Sequence, residues 1–202
     1  MRLLLTSNGW KNNLRIKNEF LELVKNKKPS EMVVLFVNIA KKEDSDWKYV
    51  TYHIKEMKKI GILKKNIIII NPDNEKKYPE NIDVIYFCGG NTFHYMDMIR
   101  KTELDKKIKK LIKQGVFYFG ISAGSILVGP SIEIAQTCSG DENDVGLKDL
   151  TGLKITQRII SPHYLESDEK EINDFEKNGK KVYKISDGQA VLLLKQRITF
   201  IK

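Results

Sequence analysis

Apolar residues in this chain fall into two rhythms. Residues 2–7, 32–39, 66–70, 83–87 and 116–121 are short runs of strand length that are mostly apolar. Between them the pattern is helical: residues 12–27 place Leu14, Phe20, Leu21 and Val24 on one side, residues 44–60 open on Asp44-Ser45-Asp46 and stop at Gly61, and residues 93–114 continue the alternation. Pro29 ends the first helix, and Asn71-Pro72-Asp73 turns the chain out of the third strand. A strand buried on both faces shows no polar alternation because neither face meets water. Apolar strands alternating with amphipathic helices therefore predict an α/β fold: a doubly wound, mostly parallel sheet with helices on both faces.

After residue 122 the rhythm changes. Residues 131–135 read as a short strand, 137–149 as a polar, acidic loop, and 157–161 as a strand leading into Pro162-His163. A helix over 168–177 and short strands near 182–185, 190–194 and 198–201 follow, which predict antiparallel additions to the parallel core. No repeat or linker divides the chain, so residues 1–202 are expected to form one domain.

Composition narrows the function classes. A chain of 202 residues can bury about 70% of the surface its unfolded form exposes, and needs neither metal nor disulfide to fold. The formal charge of +9 comes almost wholly from lysines scattered over many segments, without a recognition motif or interleaved aromatics. Nucleic acid is therefore not an expected partner, and the charge reads as a solvated surface. No apolar run approaches a membrane span, and the opening Met1-Arg2-Leu3-Leu4-Leu5 is cut short by Thr6-Ser7-Asn8-Gly9, unlike a signal peptide. Two cysteines, Cys88 and Cys138, make no disulfide framework, so a cytoplasmic protein is expected, as monomer or homodimer.

The densest chemistry lies in Gly120-Ile121-Ser122-Ala123-Gly124, a G-x-S-x-G element between an apolar strand and Ile126-Leu127-Val128. A strand, a sharp turn and a helix in that order form a nucleophile elbow, which presents Ser122 at the carboxyl edge of a sheet. Upstream, Cys88-Gly89-Gly90-Asn91-Thr92 follows another buried strand. Amides at a Gly-Gly turn can point outward, so the Gly90 and Ala123 N–H groups are candidate donors to an oxyanion. A serine nucleophile needs a base. His53 falls within a helix and reads as a surface residue, His94 follows the Gly-Gly-Asn turn closely enough to approach the site, and His163 ends a strand after Pro162, where a base in a doubly wound fold belongs.

Gly89-Gly90-Asn91-Thr92-Phe93, the Gly-x-Ser-Ala-Gly elbow, Ser161-Pro162-His163-Tyr164 and Ser186-Asp187-Gly188-Gln189-Ala190-Val191 together resemble the serine peptidases of the dipeptidase E and cyanophycinase group. The resemblance implies a flavodoxin-like fold, a Ser-His-acid triad, cleavage of small peptides, and no metal or organic cofactor. Counted without gaps from Ser122, the family's aspartate falls on Thr137, which is no carboxylate. Glu133, on the expected strand after the nucleophile helix, and Asp141, reached by a gap, are then the leading acids, with Glu142 and Asp144 behind. Asn91, Tyr164 and Lys170 are the substrate-binding candidates. Residues 165–171 contain no arginine of the kind that selects an N-terminal aspartate in dipeptidase E, so strict aspartyl specificity is not expected. An esterase or acyltransferase with the same elbow, and a catalytically weak member that binds a small acidic ligand, are the competing readings.

Overall fold

The parallel runs of the sequence become β1 (Arg2–Thr6), β2 (Val34–Val37), β3 (Ile67–Ile70), β4 (Val84–Phe87) and β5 (Phe117–Ile121). The computed structural model describes residues 1–40, 44–71, 79–137, 140–177, 179–195 and 197–202; Pro72 and Asp73 of the expected turn, and Cys138, lie outside the described residues. Four further strands, β6 (Ile159–Ser161), β7 (Val182–Lys184), β8 (Ala190–Leu194) and β9 (Arg197–Ile201), follow. One mixed sheet has the order β3-β2-β4-β5-β1-β8-β9, with the first five strands parallel and β8 and β9 antiparallel. β6 and β7 pair in parallel as a separate ribbon, so only β8 and β9 are the antiparallel additions that the sequence predicts.

The apolar strands are double-sided, as required. Leu4, Phe36, Tyr86 and Phe119 pack on one face, and Leu3, Leu35, Phe87 and Tyr118 on the other. Each large apolar side chain buried in this way contributes roughly 1.5–3 kcal/mol. Helices α1 (Leu14–Val24) and α2 (Trp47–Lys59) cover the first face through Ile16, Phe20, Val50 and Met57. Helices α3 (Thr92–Lys101) and α4 (Leu104–Lys113) cover the second through Phe93, Ile99, Ile108 and Leu111. Asn13 caps α1 by accepting the Arg15 N–H, which sets the phase so that Ile16 and Phe20, four apart, point inward while Leu14 stays 71% exposed.

Residues 131–135 depart from expectation. Ser131 makes one isolated antiparallel bridge to Thr151, flanked by bonds from the Ile132 N–H to Leu150 O and from the Gly152 N–H to Pro130 O, and among the described residues the pairing goes no further. The Ala135 N–H bonds back to Ile132 O instead and the chain enters α6 (Ile134–Thr137), leaving Glu133 in a turn. Ile132, Ile134 and Ala135 are buried all the same. Three apolar positions in five residues fit either element, and pairing decides.

The topology builds a crevice. Chains leaving β1 and β2 pass to α1 and α2 on one face, whereas chains leaving β4 and β5 pass to α3 and α5 (Ala123–Ile126) on the other. Adjacent strands whose connections diverge leave an opening at their carboxyl ends, where ligands bind in such folds. Because β8 is antiparallel to β1, with Ala190 opposite Thr6, residues just before β8 arrive at that same edge.

Candidate active site

Ser122 stands at the end of β5 with φ 50 and ψ −113, a conformation that ordinary side chains avoid and that costs of order 1–3 kcal/mol. Surrounding bonds enforce it. The Ser122 N–H donates to Thr6 O at 3.0 Å, Ser125 Oγ donates to Thr6 O at 2.8 Å, and Tyr118 Oη donates to Gly124 O at 2.6 Å. The two glycines of the elbow answer to space: a Cβ on Gly120 would lie 2.6 Å from Gly124 O, and one on Gly124 would lie 2.5 Å from Phe87 Cβ. Neither atom can yield, so strand, turn and helix close only with glycine at both positions.

His163 follows β6, and its backbone is also left-handed at φ 56. Its N–H donates to Ser7 Oγ at 2.8 Å, which ties the strained residue to the loop after β1. Across the ring, Nε2 is 3.0 Å from Ser122 Oγ and Nδ1 is 2.7 Å from Asp187 Oδ1. Ser7, fully buried, donates its hydroxyl to the same Asp187 oxygen at 2.7 Å. Burial pushes the Asp187 carboxyl up, but the bonds from Ser7 and His163, the neighbouring His163 charge and Asn8 outweigh it and hold the group below its ordinary range. An ionised Asp187 only accepts, so His163 carries its proton on Nδ1 and leaves Nε2 free to accept from Ser122.

The carboxylate behind His163 is therefore Asp187, not Glu133 or Asp141. Glu133 pairs with Lys180 at 2.6 Å. Asp141 caps α3 by accepting the Thr92 N–H at 2.8 Å, and Asp144 pairs with His94 at 2.6 Å. Glu142 contributes its carbonyl to Asn91 Nδ2. Asp187 stands in the Ser186–Val191 motif that carries part of the family resemblance, but nothing in that motif marks it as the acid; Ser7 carries no signal of its own.

Of the other expected groups, Ala123 follows Ser122 directly in the chain, and Gly90 lines the same cleft as the serine. Gly90 has φ +149, and a Cβ on its neighbour Gly89 would be 3.5 Å from Ser122 Cβ. Among the described residues neither the Gly90 nor the Ala123 N–H has an acceptor. Asn91 faces the cleft, but its Oδ1 is spent capping α3 through the Phe93 and His94 N–H groups. Tyr164 donates to Glu169 at 2.9 Å and Lys170 is exposed on α7 (Glu169–Lys177); neither lines the cleft, because the segment after His163 runs away from it.

The cleft measures about 980 Å³ and runs from Ser122, His163 and Asp187 past Gly89 and Gly90 to Asn38 after β2 and His53 on α2. His53 is not the surface residue expected: it is 9% exposed, its Nδ1 lies 2.9 Å from Tyr86 Oη, and burial lowers its pKa to about 4 against the pull of Glu56. Among the described residues no group of His, Cys, Asp or Glu side chains could hold a metal, and no helix is long and apolar enough to cross a membrane.

A nucleophilic serine, an imidazole and a carboxylate in hydrogen-bonded series are the arrangement of serine hydrolases. Comparison with known proteins narrows the class. The model of peptidase family S51 matches residues 3–201, and the chain belongs to that family of serine peptidases. An uncharacterized peptidase of Listeria monocytogenes is 28% identical over 200 residues, covering 96% of this chain and 95% of the relative. Peptidase E of Escherichia coli O1:K1 is 32% identical over 88 residues, 42% of this chain and 35% of that protein. Among solved structures, a Peptidase E candidate from Listeria monocytogenes EGD-e superposes with a TM-score of 0.78 at 26% identity, covering 100% of this chain and 98% of that one. A peptidase from an acI-B1 actinobacterium shares the fold at a TM-score of 0.68 and 15% identity, over 99% of this chain and 86% of its own.

Proposed function

We propose that this protein hydrolyses short peptides through a Ser122-His163-Asp187 triad. His163 takes the Ser122 proton as Oγ attacks the scissile carbonyl, Asp187 stabilises the imidazolium so formed, and the Gly90 and Ala123 N–H groups receive the developing oxyanion. His163 then returns the proton to the leaving amine, and water cleaves the acyl-enzyme by the same steps in reverse order of partners. The observation that carries this reading is the unbroken series of bonds from Ser122 Oγ through His163 to Asp187, at 3.0 and 2.7 Å. The reading takes the protein as cytoplasmic, which the buried free thiol of Cys88 supports.

A serine-directed fluorophosphonate probe, followed by hydrolysis of a dipeptide and isopeptide library, tests it. Labelling at Ser122 that disappears in Ser122→Ala, together with peptide turnover, is the expected result. An unlabelled Ser122, or turnover retained in Ser122→Ala, would remove the triad from consideration. Ester turnover without any peptide turnover would transfer the site to the esterase reading.

A further inference from the structure

The turn that offers the Gly90 N–H is built from residues that cannot hold it. Gly89 and Gly90 have no side chains, Gly90 sits at φ +149, and among the described residues its N–H has no acceptor. A glycine pair is pliant backbone, so the direction of that N–H is set by whatever fixes the two ends of the turn. Upstream the fixing comes from the strand and its helix: the Cys88 N–H donates to Val37 O at 3.1 Å, and the Tyr95 hydroxyl donates to Cys88 O at 2.7 Å.

Downstream the fixing arrives from 49 residues away. The Thr92 N–H donates to Asp141 Oδ2 and Asn91 Nδ2 donates to Glu142 O, both at 2.8 Å. Glu142 grips only a side chain, whereas Asp141 grips the backbone itself, two residues beyond Gly90. Asp141 is tied down in turn, its N–H donating to Ala135 O at 2.9 Å. Its carboxyl is half-buried, and burial pushes it above the ordinary range against its bond to the Thr92 N–H and the charges of His163 and His94. The loop has other grips on α3: His94 meets Asp144 at 2.6 Å, and Arg100 donates to Asp149 O and Thr151 O at 2.7 Å. Attachment of the loop therefore does not depend on Asp141 alone; the place of the Thr92 N–H does.

We infer that Asp141 is a positioning residue of the oxyanion hole: by holding the Thr92 N–H it fixes the Gly90 N–H toward the carbonyl that Ser122 attacks. It acts through the turn and touches no substrate. Its loss therefore differs from the loss of a triad acid. Without Asp187 the His163 tautomer is wrong; without Asp141 the bonds from Ser122 to His163 and Asp187 remain, and only the Gly90 donor loses its direction. Oxyanion donors act on the transition state more than on bound substrate, so the effect falls on kcat and not on KM. The inference rests on the peptidase reading, because an oxyanion forms only if Ser122 attacks a carbonyl.

Four variants beside the parent, followed by peptide turnover, fluorophosphonate labelling rate and thermal unfolding, test it. Asp141→Ala should lose about 10²-fold in kcat, the effect of moving a catalytic group by about 1 Å, with KM within about twofold. Its labelling rate should fall in step, since the phosphonyl oxygen uses the same donors. Asp141→Asn keeps an oxygen for the Thr92 N–H and should stay within about fivefold of the parent. Asp141→Glu keeps the charge but carries its oxygens one methylene further out, and should lose more than Asp141→Asn. Arg100→Ala unfastens the same loop further along α3 and should lower the melting temperature by a few degrees with kcat unchanged. Parental kcat in Asp141→Ala would overturn the inference. So would Asp141→Glu outperforming Asp141→Asn, which assigns the effect to charge near His163 and can be read even if Asp141→Ala does not fold. A loss in Arg100→Ala as large as in Asp141→Ala would overturn it too, by assigning the effect to the loop as a whole. Failure of Ser122 to react in the parent would sink the catalytic reading and the inference with it, whereas a reactive parent and an indifferent Asp141 would sink the inference alone.

Discussion

Two histidines face one cleft and have opposite chemistry because of what stands behind them. His163 is partly exposed, is held in a left-handed backbone, and has an ionised carboxylate at Nδ1 and a hydroxyl at Nε2. His53 is buried on a regular helix and has a phenol at Nδ1. A carboxylate favours a proton arriving on the ring; burial beside a phenol leaves the ring neutral. One wall of the cleft is thus arranged to move a proton and the other to hold one still. Substitutions that break this contrast should differ widely in effect.

The largest effect belongs to the group that His163 serves. Ser122→Ala removes the nucleophile, and kcat should fall about 10⁶-fold, as elsewhere when a triad serine is lost. The fold should survive, because the side chain points into the cleft and the strain at φ 50 is held by neighbours rather than by Oγ. Thermal unfolding of the variant beside a turnover assay checks both halves.

Asp187→Asn comes next. The change preserves shape but lets the amide present an N–H to Nδ1, which leaves His163 in the wrong tautomer, and kcat should fall by up to about 10⁴-fold with little change in KM. An Asp187→Asn enzyme with parental kcat would return the site to a Ser-His dyad.

On the other wall the effect is on stability. His53 in the unfolded chain titrates near 6.5 and in the fold near 4. Between those values the unfolded state binds more protons, so stability must rise with pH across that window and be lost as pH falls through it. Taken to both limits the difference is about 3 kcal/mol. Denaturant unfolding at pH 7 and pH 4 should show a steeper loss for the parent than for His53→Gln, in which the group is absent; identical losses would mean that His53 is not the group responsible.

Ser7→Ala should be milder, lowering kcat by about tenfold, the worth of one charge-assisted bond. It also removes one of the interactions that hold Asp187 below its ordinary range, so the Asp187 carboxyl, followed by carbon NMR, should titrate at higher pH. A packing defect at β1 would not move that titration.

What the sequence made legible follows from how local each signal is. Double-sided strands, the elbow glycines and Ser122 are written in contiguous residues, because burial on two faces and close backbone approach leave no alternative side chains. Asp187 was displaced in reading because its place depends on a strand pairing 184 residues apart, Thr6 with Ala190. Counting forward from Ser122 cannot find a residue delivered to the site by an antiparallel edge strand. His53 departs from expectation for a different reason: it lies on the buried stripe of α2 with Val50 and Met57, where a polar ring is accommodated because Tyr86 Oη meets its Nδ1.

The smallest expected effect is the sharpest test of that lesson. Glu133→Gln makes the same isosteric change as Asp187→Asn, one negative charge for a neutral amide. Glu133, however, faces Lys180 at 2.6 Å across a pair whose side chains are 43% and 34% exposed. Solvent screens such a pair, and its worth is about 0–1 kcal/mol of stability. The pair joins the turn before α6 to the segment leading into β7, away from the ring of His163, so kcat/KM should stay within about twofold of the parent while the melting temperature shifts by a few degrees at most. Measured side by side, a large kcat loss in Asp187→Asn and none in Glu133→Gln assigns the acid to the edge-strand turn. The reverse result would require the chain around residue 133 to fold as the strand its apolar spacing first suggested, with its carboxylate turned to the histidine.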